Sequence, residues 1–176
     1  MNKVVFLDRD GTINKDKAYV HAIEDFEFLP GVIQALQKFM QLGYKLIIIT
    51  NQSGIARGFY SEESYLSLDQ WMKAQLRKEG IEILDSFYCP HLPDAPVEKY
   101  RVECLCRKPG IELFEKAIQK YKVDVNNSIA VGDRIRDVQI CKKYPIKGFV
   151  LYQDIEKKEN NIHFLRGGME EVVEKI

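Results

Sequence analysis

Two carboxylates, Asp8 and Asp10, sit two residues apart in Asp8-Arg-Asp10-Gly-Thr12. The apolar run Lys3–Leu7, which predicts a buried strand, leads directly into them. Gly11 permits the unusual dihedrals and close backbone approach of a loop that curls around an anion. Two neighbouring carboxylates repel a phosphate dianion, so the pattern calls for a divalent cation. Mg2+ takes hard oxygen ligands, often one or two carboxylates plus a substrate phosphate. Gly132-Asp133 follows another apolar run and supplies a third carboxylate. An aspartate can attack phosphorus as a covalent nucleophile. A second carboxyl group can protonate the leaving oxygen and later deprotonate water. Calcium loops also use Asp-x-Asp-Gly, but the twelfth loop position, where they carry glutamate, is Tyr19 here.

Cys89-Pro-His91 and Cys104-Leu-Cys106, twelve residues apart, form a second constellation. Three cysteines and a histidine are a common structural zinc set, and in a reducing compartment such clustering favours metal over disulfides. A closed four-ligand site would pin the segment 89–109, which is rich in Pro, Cys and charge and has no period. The alternative is three reduced core cysteines and an exposed histidine. The segment ends in Arg107-Lys108-Pro109, which joins the metal loop to two cations. Arg suits bidentate phosphate contact, and Lys suits a point-charge contact. Cys141 reads as a small buried residue. His21 and His163 are isolated and are given no metal role. Trp71, with Leu68, Met72 and Leu76, reads as the buried face of a helix.

Short apolar runs alternate with helical patterns, which predicts an α/β fold with a mainly parallel sheet. Strands are expected at Lys3–Leu7, Lys45–Thr50, Ile83–Tyr88, Ser128–Val131 and Lys147–Tyr152. Helices are expected from Pro30-Gly31 to Gly43, from the N-cap Ser61 to about Glu79–Gly80, at Ile111–Tyr121, at Ile135–Lys143 and at Gly168–Lys175. The stretch from Asp154 to the last helix is read as a charged tail. Asp8, Thr50 and Asp133 then each fall at a strand end, and such ends converge on one crevice in open α/β sheets.

The 176 residues suit one domain, 1–176. Hydrophobic residues make up 45% and charged residues 30%, the composition of an ordinary globular chain. Lys plus Arg and Asp plus Glu each number 26, so no long-range field draws the chain to nucleic acid or to anionic membrane. The apolar runs are too short to span a bilayer, and the first residues lack the features of a signal peptide. A monomer in the cytoplasm is expected.

The sequence resembles the haloacid dehalogenase superfamily of phosphatases, whose four motifs occur in order: Asp8-Arg-Asp10-Gly-Thr12, Thr50-Asn51, Lys108-Pro109, and Gly132-Asp133 with Asp137 four residues on. Within it, the chain is similar to the D-glycero-D-manno-heptose 1,7-bisphosphate 7-phosphatase family up to about Leu151. The similarity rests on Thr12-Ile-Asn14, Tyr19-Val20-His21, Phe26-Glu-Phe28, Thr50-Asn-Gln-Ser-Gly-Ile-Ala-Arg-Gly58, Tyr88-Cys-Pro-His91 and Cys104-x-Cys-Arg-Lys-Pro109.

The resemblance implies a single capless Rossmann-like three-layer domain with a zinc loop. It implies removal of the 7-phosphate of a small sugar bisphosphate in nucleotide-heptose and lipopolysaccharide-precursor synthesis, an activity written for the β anomer, with the preferred anomer, β or α, left open by the residues. It makes Asp8 the nucleophile and Asp10 the acid and base. Mg2+ would be held by the Asp8 side chain, the Asp10 carbonyl and Asp133, and Zn2+ by Cys89, His91, Cys104 and Cys106. Thr50 would donate to the transferring phosphoryl group and Lys108 would neutralise it. Asp16, Lys17, Ala18 and Tyr19, with Asn51, Gln52 and Ser53, would line the sugar-phosphate pocket. Arg107 and Arg134 would contact substrate, and Lys142-Lys-Tyr-Pro145 would alter the turn after its helix. A related branch acting on histidinol phosphate shares the cysteine loop. A non-catalytic zinc-bearing binding module is the alternative of another class.

Overall fold

The runs Val4–Leu7, Leu46–Ile49 and Ile129–Val131 are apolar at every position, so both faces of each need cover. In the computed structural model, which describes residues 1–176, they receive it. Strands β1 (Val4–Leu7), β2 (Lys45–Asn51), β3 (Ile83–Cys89), β4 (Ile129–Gly132), β5 (Lys147–Val150), β6 (Lys157–Glu159) and β7 (Ile162–Phe164) form one sheet in the order β3-β2-β1-β4-β5-β7-β6. All pairings are parallel except β6 with β7.

Alternate residues of each strand point into separate cores. Val5, Leu7, Leu46 and Ile48 pack beneath helices α1 (Val32–Gln41), α2 (Glu62–Lys78) and α4 (Met169–Glu174). Val4, Phe6, Ile47 and Ile49 pack on the other face with α3 (Glu112–Tyr121) and the short helix Ile135–Lys142. This is the expected three-layer α/β domain. Ser61 caps α2 by accepting from the Ser64 amide at 3.0 Å. Leu68, Met72 and Leu76 of α2 are buried, and Trp71 meets Phe26 edge-on at 5.5 Å.

The expected strands and helices match the sequence reading to within one or two residues, with two differences, and the structure adds a hairpin and two short 3-10 helices, Ile23–Asp25 and Glu98–Tyr100. Ile135–Lys142 is a 3-10 helix kinked at Val138 rather than an α-helix. The Asp137 carboxylate turns back to accept from the Arg134 amide at 2.9 Å, which caps and tightens its first turn. The fifth strand stops at Val150, because Tyr152 takes a left-handed φ of 57° that no strand tolerates. The charged tail contains the unforeseen β6–β7 hairpin, whose two-residue turn Asn160-Asn161 places Asn160 at φ 53°. No helix is long and apolar enough to cross a membrane.

The order of strand addition reverses between β1 and β4: β2 and β3 extend the sheet to one side, β4 and β5 to the other. The carboxyl ends of β1 and β4 therefore flank the crevice where such sheets bind ligands. Asp8 leaves β1 and Asp133 leaves β4 at that point.

Candidate active site

The loop after β1 is closed by its own backbone. The Arg9 carbonyl accepts from the amides of Thr12 and Ile13 at 3.2 and 2.8 Å, and the Asp8 amide donates to Val131 of β4 at 3.0 Å. Gly11, at φ 83°, faces the third carboxylate, and a Cβ there would lie 2.5 Å from Asp133 Oδ2. Hydrogen is thus the only side chain that lets loop and carboxylate meet.

Arg9 is 1% exposed and works inward. Its guanidinium grips Asp10 at 3.0 and 3.2 Å and donates to the Val20 carbonyl at 2.7 Å. Asp10 also accepts from Asn14 at 3.0 Å and from Gln52 at 3.1 Å. Four donors therefore fix one carboxylate. Gln52 Nε2 donates to Thr50 Oγ1 as well, at 2.8 Å, while its carbonyl accepts from Tyr60 at 2.6 Å. The side chains of Asp10 and Thr50 are thereby set by one amide.

Lys108 is buried between carboxylates. Its Nζ lies 2.8 Å from Asp8 Oδ1 and 2.8 Å from Asp137 Oδ1, and it donates to the Ile49 carbonyl at 2.7 Å. Asn51 locks the lysine's backbone to the end of β2 by donating to the Lys108 carbonyl at 3.0 Å and accepting from the Lys108 amide at 2.9 Å. With one carboxylate oxygen on Lys108 and the other on the Arg134 amide, Asp137 is a positioning group for the lysine.

The charges leave an excess of anions. Carboxylate oxygens of Asp8, Asp133 and Asp137 lie within 4.8 Å of one another, with Lys108 the buried cation between two of them. Burial pushes the Asp8 carboxyl up to about 7 against the pull of Lys108, and burial followed by Asp137 raises that of Asp133. Hard oxygens that resist ionisation until a cation joins them are the donor set Mg2+ takes. Asp8 and Asp133, unlike Asp137, keep oxygens free for it.

The cysteine loop converges as its spacing suggests. Sγ of Cys106 lies 3.0 Å from Sγ of Cys89 and 3.1 Å from that of Cys104, and His91 Nδ1 is 3.4 Å from Cys106 Sγ. All four ligand atoms lie within 4.8 Å of one another, and no disulfide forms. Tetrahedral zinc–thiolate geometry spaces sulfurs by roughly 3.8 Å. Cys89 and Cys104, at 3.6 Å, are near that value, and Cys106 stands closer to both, so a bound zinc would push its thiolate outward. Cys141 is buried elsewhere, in the core beside Gly148.

A cleft of about 520 Å3 opens above Asp10. Of the residues expected to line it, Asp16, Ala18, Tyr19, Asn51, Gln52, Ser53 and Arg107 do. Ala18 and Tyr19 are held at φ 58° and 60°, strained values for non-glycine residues, with the Ala18 amide donating to Asp16 at 3.0 Å. Lys17 and Arg134 do not line it. Lys17 turns to Glu27 at 3.3 Å, and Arg134 turns to Asp133 at 3.4 Å, facing a neighbouring cavity of about 710 Å3. Arg57, Tyr60 and Arg136 line the cleft without having been anticipated. The Asp10 grip of Arg9 and Asn14 was also unforeseen, because their neighbours in space are set by the loop's curl rather than by a residue pattern.

A reactive carboxylate at a switch point, a lysine bridging it to a second carboxylate, and a third across the crevice define a phosphatase of the haloacid dehalogenase type. The polynucleotide kinase 3 phosphatase family matches residues 3–159. The D-glycero-alpha-D-manno-heptose-1,7-bisphosphate 7-phosphatase of Photorhabdus laumondii is 51% identical over 136 residues, 77% of this chain and 74% of its own length. The corresponding beta-heptose enzyme of Haemophilus influenzae is 45% identical over 139 residues, 79% of this chain and 75% of its own. The crystal structure of the D,D-heptose 1,7-bisphosphate phosphatase of B. bronchiseptica, complexed with magnesium and phosphate, superposes with a TM-score of 0.82 at 26% identity, covering 99% of this chain and 97% of the other. The chain belongs to the D-glycero-D-manno-heptose 1,7-bisphosphate 7-phosphatase family of the haloacid dehalogenase superfamily.

Proposed function

We propose that this chain is a Mg2+-dependent phosphatase that removes the 7-phosphate of D-glycero-D-manno-heptose 1,7-bisphosphate through a phosphoryl group carried on Asp8. The observation that carries the reading is the buried Asp8–Lys108–Asp137 bridge facing Asp133 across the switch point. Lys108 and Thr50 present donors where charge gathers on the transferring group. The Asp8 carboxylate forms the new bond to phosphorus as the bond to the sugar oxygen breaks. Asp10 gives that oxygen its proton. Asp10 then takes a proton from water, which attacks phosphorus and frees Asp8. Mg2+, held by Asp8, Asp133 and the Asp10 carbonyl, would supply charge neutralisation to the phosphoryl oxygens.

Purified protein should release one phosphate from the bisphosphate when Mg2+ is present and leave a heptose 1-phosphate. The β anomer is the expected substrate, by likeness to the relatives of Haemophilus influenzae and Vibrio cholerae. Faster turnover of the α anomer would move the chain beside the Photorhabdus relative instead. Release from histidinol phosphate alone would overturn the sugar reading. The buried bridge has no purpose in a zinc-bearing binding module, and that alternative fails if phosphate is released at all.

The zinc loop carries a further prediction. Arg107 and Lys108 follow Cys106 directly, so the metal set fixes where both cations stand. Four protein ligands close the site, which makes its role structural. Elemental analysis should find one zinc per chain. Cys104→Ser should lower activity roughly 100-fold, the usual cost of misplacing a catalytic group by about 1 Å. Protease nicking should concentrate between residues 89 and 106, and extra Mg2+ should not rescue. Fully active protein without zinc would dismiss the idea.

A further inference from the structure

Asp133 stands just beyond the point where the hydrogen bonding of β4 ends. The Leu151 amide donates to the Gly132 carbonyl at 2.8 Å, the last rung between β5 and β4. In a parallel ladder every second amide of a strand faces the same neighbour, so the next one due on β4 is that of Gln153. It does not arrive. Tyr152 takes a φ of 57°, its amide donates to Gly167 at 3.1 Å, and the Gln153 amide turns the other way, to Leu165 beside β7 at 2.7 Å. A left-handed tyrosine is strained backbone, which persists only where its surroundings impose it. The side chain of Gln153 replaces the missing rung. Its Nε2 donates to the Leu151 carbonyl at 2.6 Å and to the Asp133 carbonyl at 3.2 Å. Two carbonyls settle the orientation of this amide, since both would repel its oxygen.

Asp133 needs such a hold. Its carboxylate meets the loop after β1 with no slack, as the 2.5 Å left for a Cβ on Gly11 shows. Its one ion pair is with Arg134 at 3.4 Å, an exposed and flexible partner. Asp133 and Gln153 both line the cavity of about 710 Å3, so on that side the residue is steadied by this hydrogen bond rather than by packing. We propose that Gln153 is a positioning residue for the Mg2+ site: it holds the main chain of Asp133 so that the carboxylate stands where Mg2+ requires it, and it thereby favours Mg2+ over Ca2+. The proposal rests on the Mg2+-dependent reading given above and adds a residue that touches neither metal nor substrate. The selectivity follows from the two ions' demands. Mg2+ needs near-ideal octahedral oxygens at about 2.0–2.1 Å, whereas Ca2+ accepts a flexible cage at about 2.3–2.6 Å. A carboxylate free to drift costs Mg2+ more than Ca2+.

The test is calorimetric titration of Mg2+ and of Ca2+ into zinc-replete, substrate-free protein, for the wild type, Gln153→Met, Gln153→Ala and Gln139→Met. Gln139 is the control, because its Nε2 donates to the Ile135 carbonyl at 3.0 Å, the same kind of contact away from any metal ligand. Gln153 is only partly buried, so both of its replacements should fold, and Mg2+-free melting checks that they do. Outer-shell partners of metal ligands are worth roughly 10- to 100-fold in affinity, and Gln153 acts through the main chain, so Mg2+ should bind about 10-fold more weakly in both variants. Ca2+ should lose much less, and Gln139→Met should bind both ions as the wild type does. At saturating Mg2+ the KM for p-nitrophenyl phosphate should not move. Unchanged Mg2+ affinity in both Gln153 variants, equal losses for the two ions, or an equal loss in Gln139→Met would overturn the positioning role. A wild type that binds no Mg2+ would overturn that role and the metal reading together. A wild type that binds Mg2+ yet frees no phosphate from heptose 1,7-bisphosphate would overturn the functional reading alone, while the titrations continue to judge Gln153.

Discussion

Asp8→Asn is expected to reduce phosphate release to background and, in Mg2+-free protein, to raise the melting temperature. The catalytic loss should approach 10^6-fold, about what removal of a covalent nucleophile costs elsewhere. The gain in stability follows from burial. Asp8 is 8% exposed, and its carboxyl is pushed from 3.8 to about 7 even with Lys108 beside it. Its folded pKa lies above its unfolded one. Its contribution to stability is therefore complete below about pH 4 and is lost as pH rises through about 7. Asparagine has no proton to lose, so the variant escapes that loss. Zinc-replete, Mg2+-free Asp8→Asn protein should melt above the wild type at pH 8, with the gap closing toward pH 4. Added Mg2+ should reverse the order, since it binds the folded wild type through a carboxylate the variant lacks. A wild type that melts higher at pH 8 without Mg2+ would mean that the Lys108 ion pair outweighs the cost of burial.

That dependence on burial marks the boundary of what the sequence discloses. The strand ends were legible because Val4–Leu7 and Ile129–Gly132 are apolar throughout, a pattern that demands cover on both faces. The cysteine loop was legible because softness and spacing of ligands are local properties. Asp137 was recognisable only as the last part of a motif, since its partner Lys108 is twenty-nine residues away and the 2.8 Å contact exists only after β4 and the metal loop meet. Nothing in the residue pattern assigns a role to Arg9 between the two aspartates, yet it is almost wholly buried and holds one of them. That Arg136 lines the cleft while Arg134 turns to Asp133 is not legible, because no pattern of residue types reveals which way a kinked 3-10 turn aims its side chains. β6 escaped notice because an exposed edge strand of Lys157-Lys158-Glu159 has no buried face to create alternation.

Asp10→Asn should separate the two halves of the reaction. General acid and base catalysis is worth roughly 100- to 10,000-fold, and an alkyl phosphate such as the sugar substrate should lose that much, because its leaving oxygen needs a proton. An aryl phosphate leaves unaided, so the first half should survive with it. The second half still needs a base for water. Asp10→Asn should thus give a rapid burst of phenolate, equal to the enzyme present, followed by slow turnover. Denatured protein should then carry phosphate on Asp8. The substitution also touches geometry. Asn14 and Gln52 both donate to Asp10, so an amide at position 10 turns one of those contacts donor against donor. Relief by rotation of Gln52 would break its contacts with Thr50 and Tyr60. Gln52→Met serves as the control, since it removes that donor while leaving the carboxylate. It should slow both halves modestly and give no burst, because the base remains. A burst in Gln52→Met as large as in Asp10→Asn would assign the effect to orientation rather than proton transfer. Steady, burst-free turnover of the alkyl substrate by Asp10→Asn within a few-fold of wild type would remove Asp10 from the chemistry.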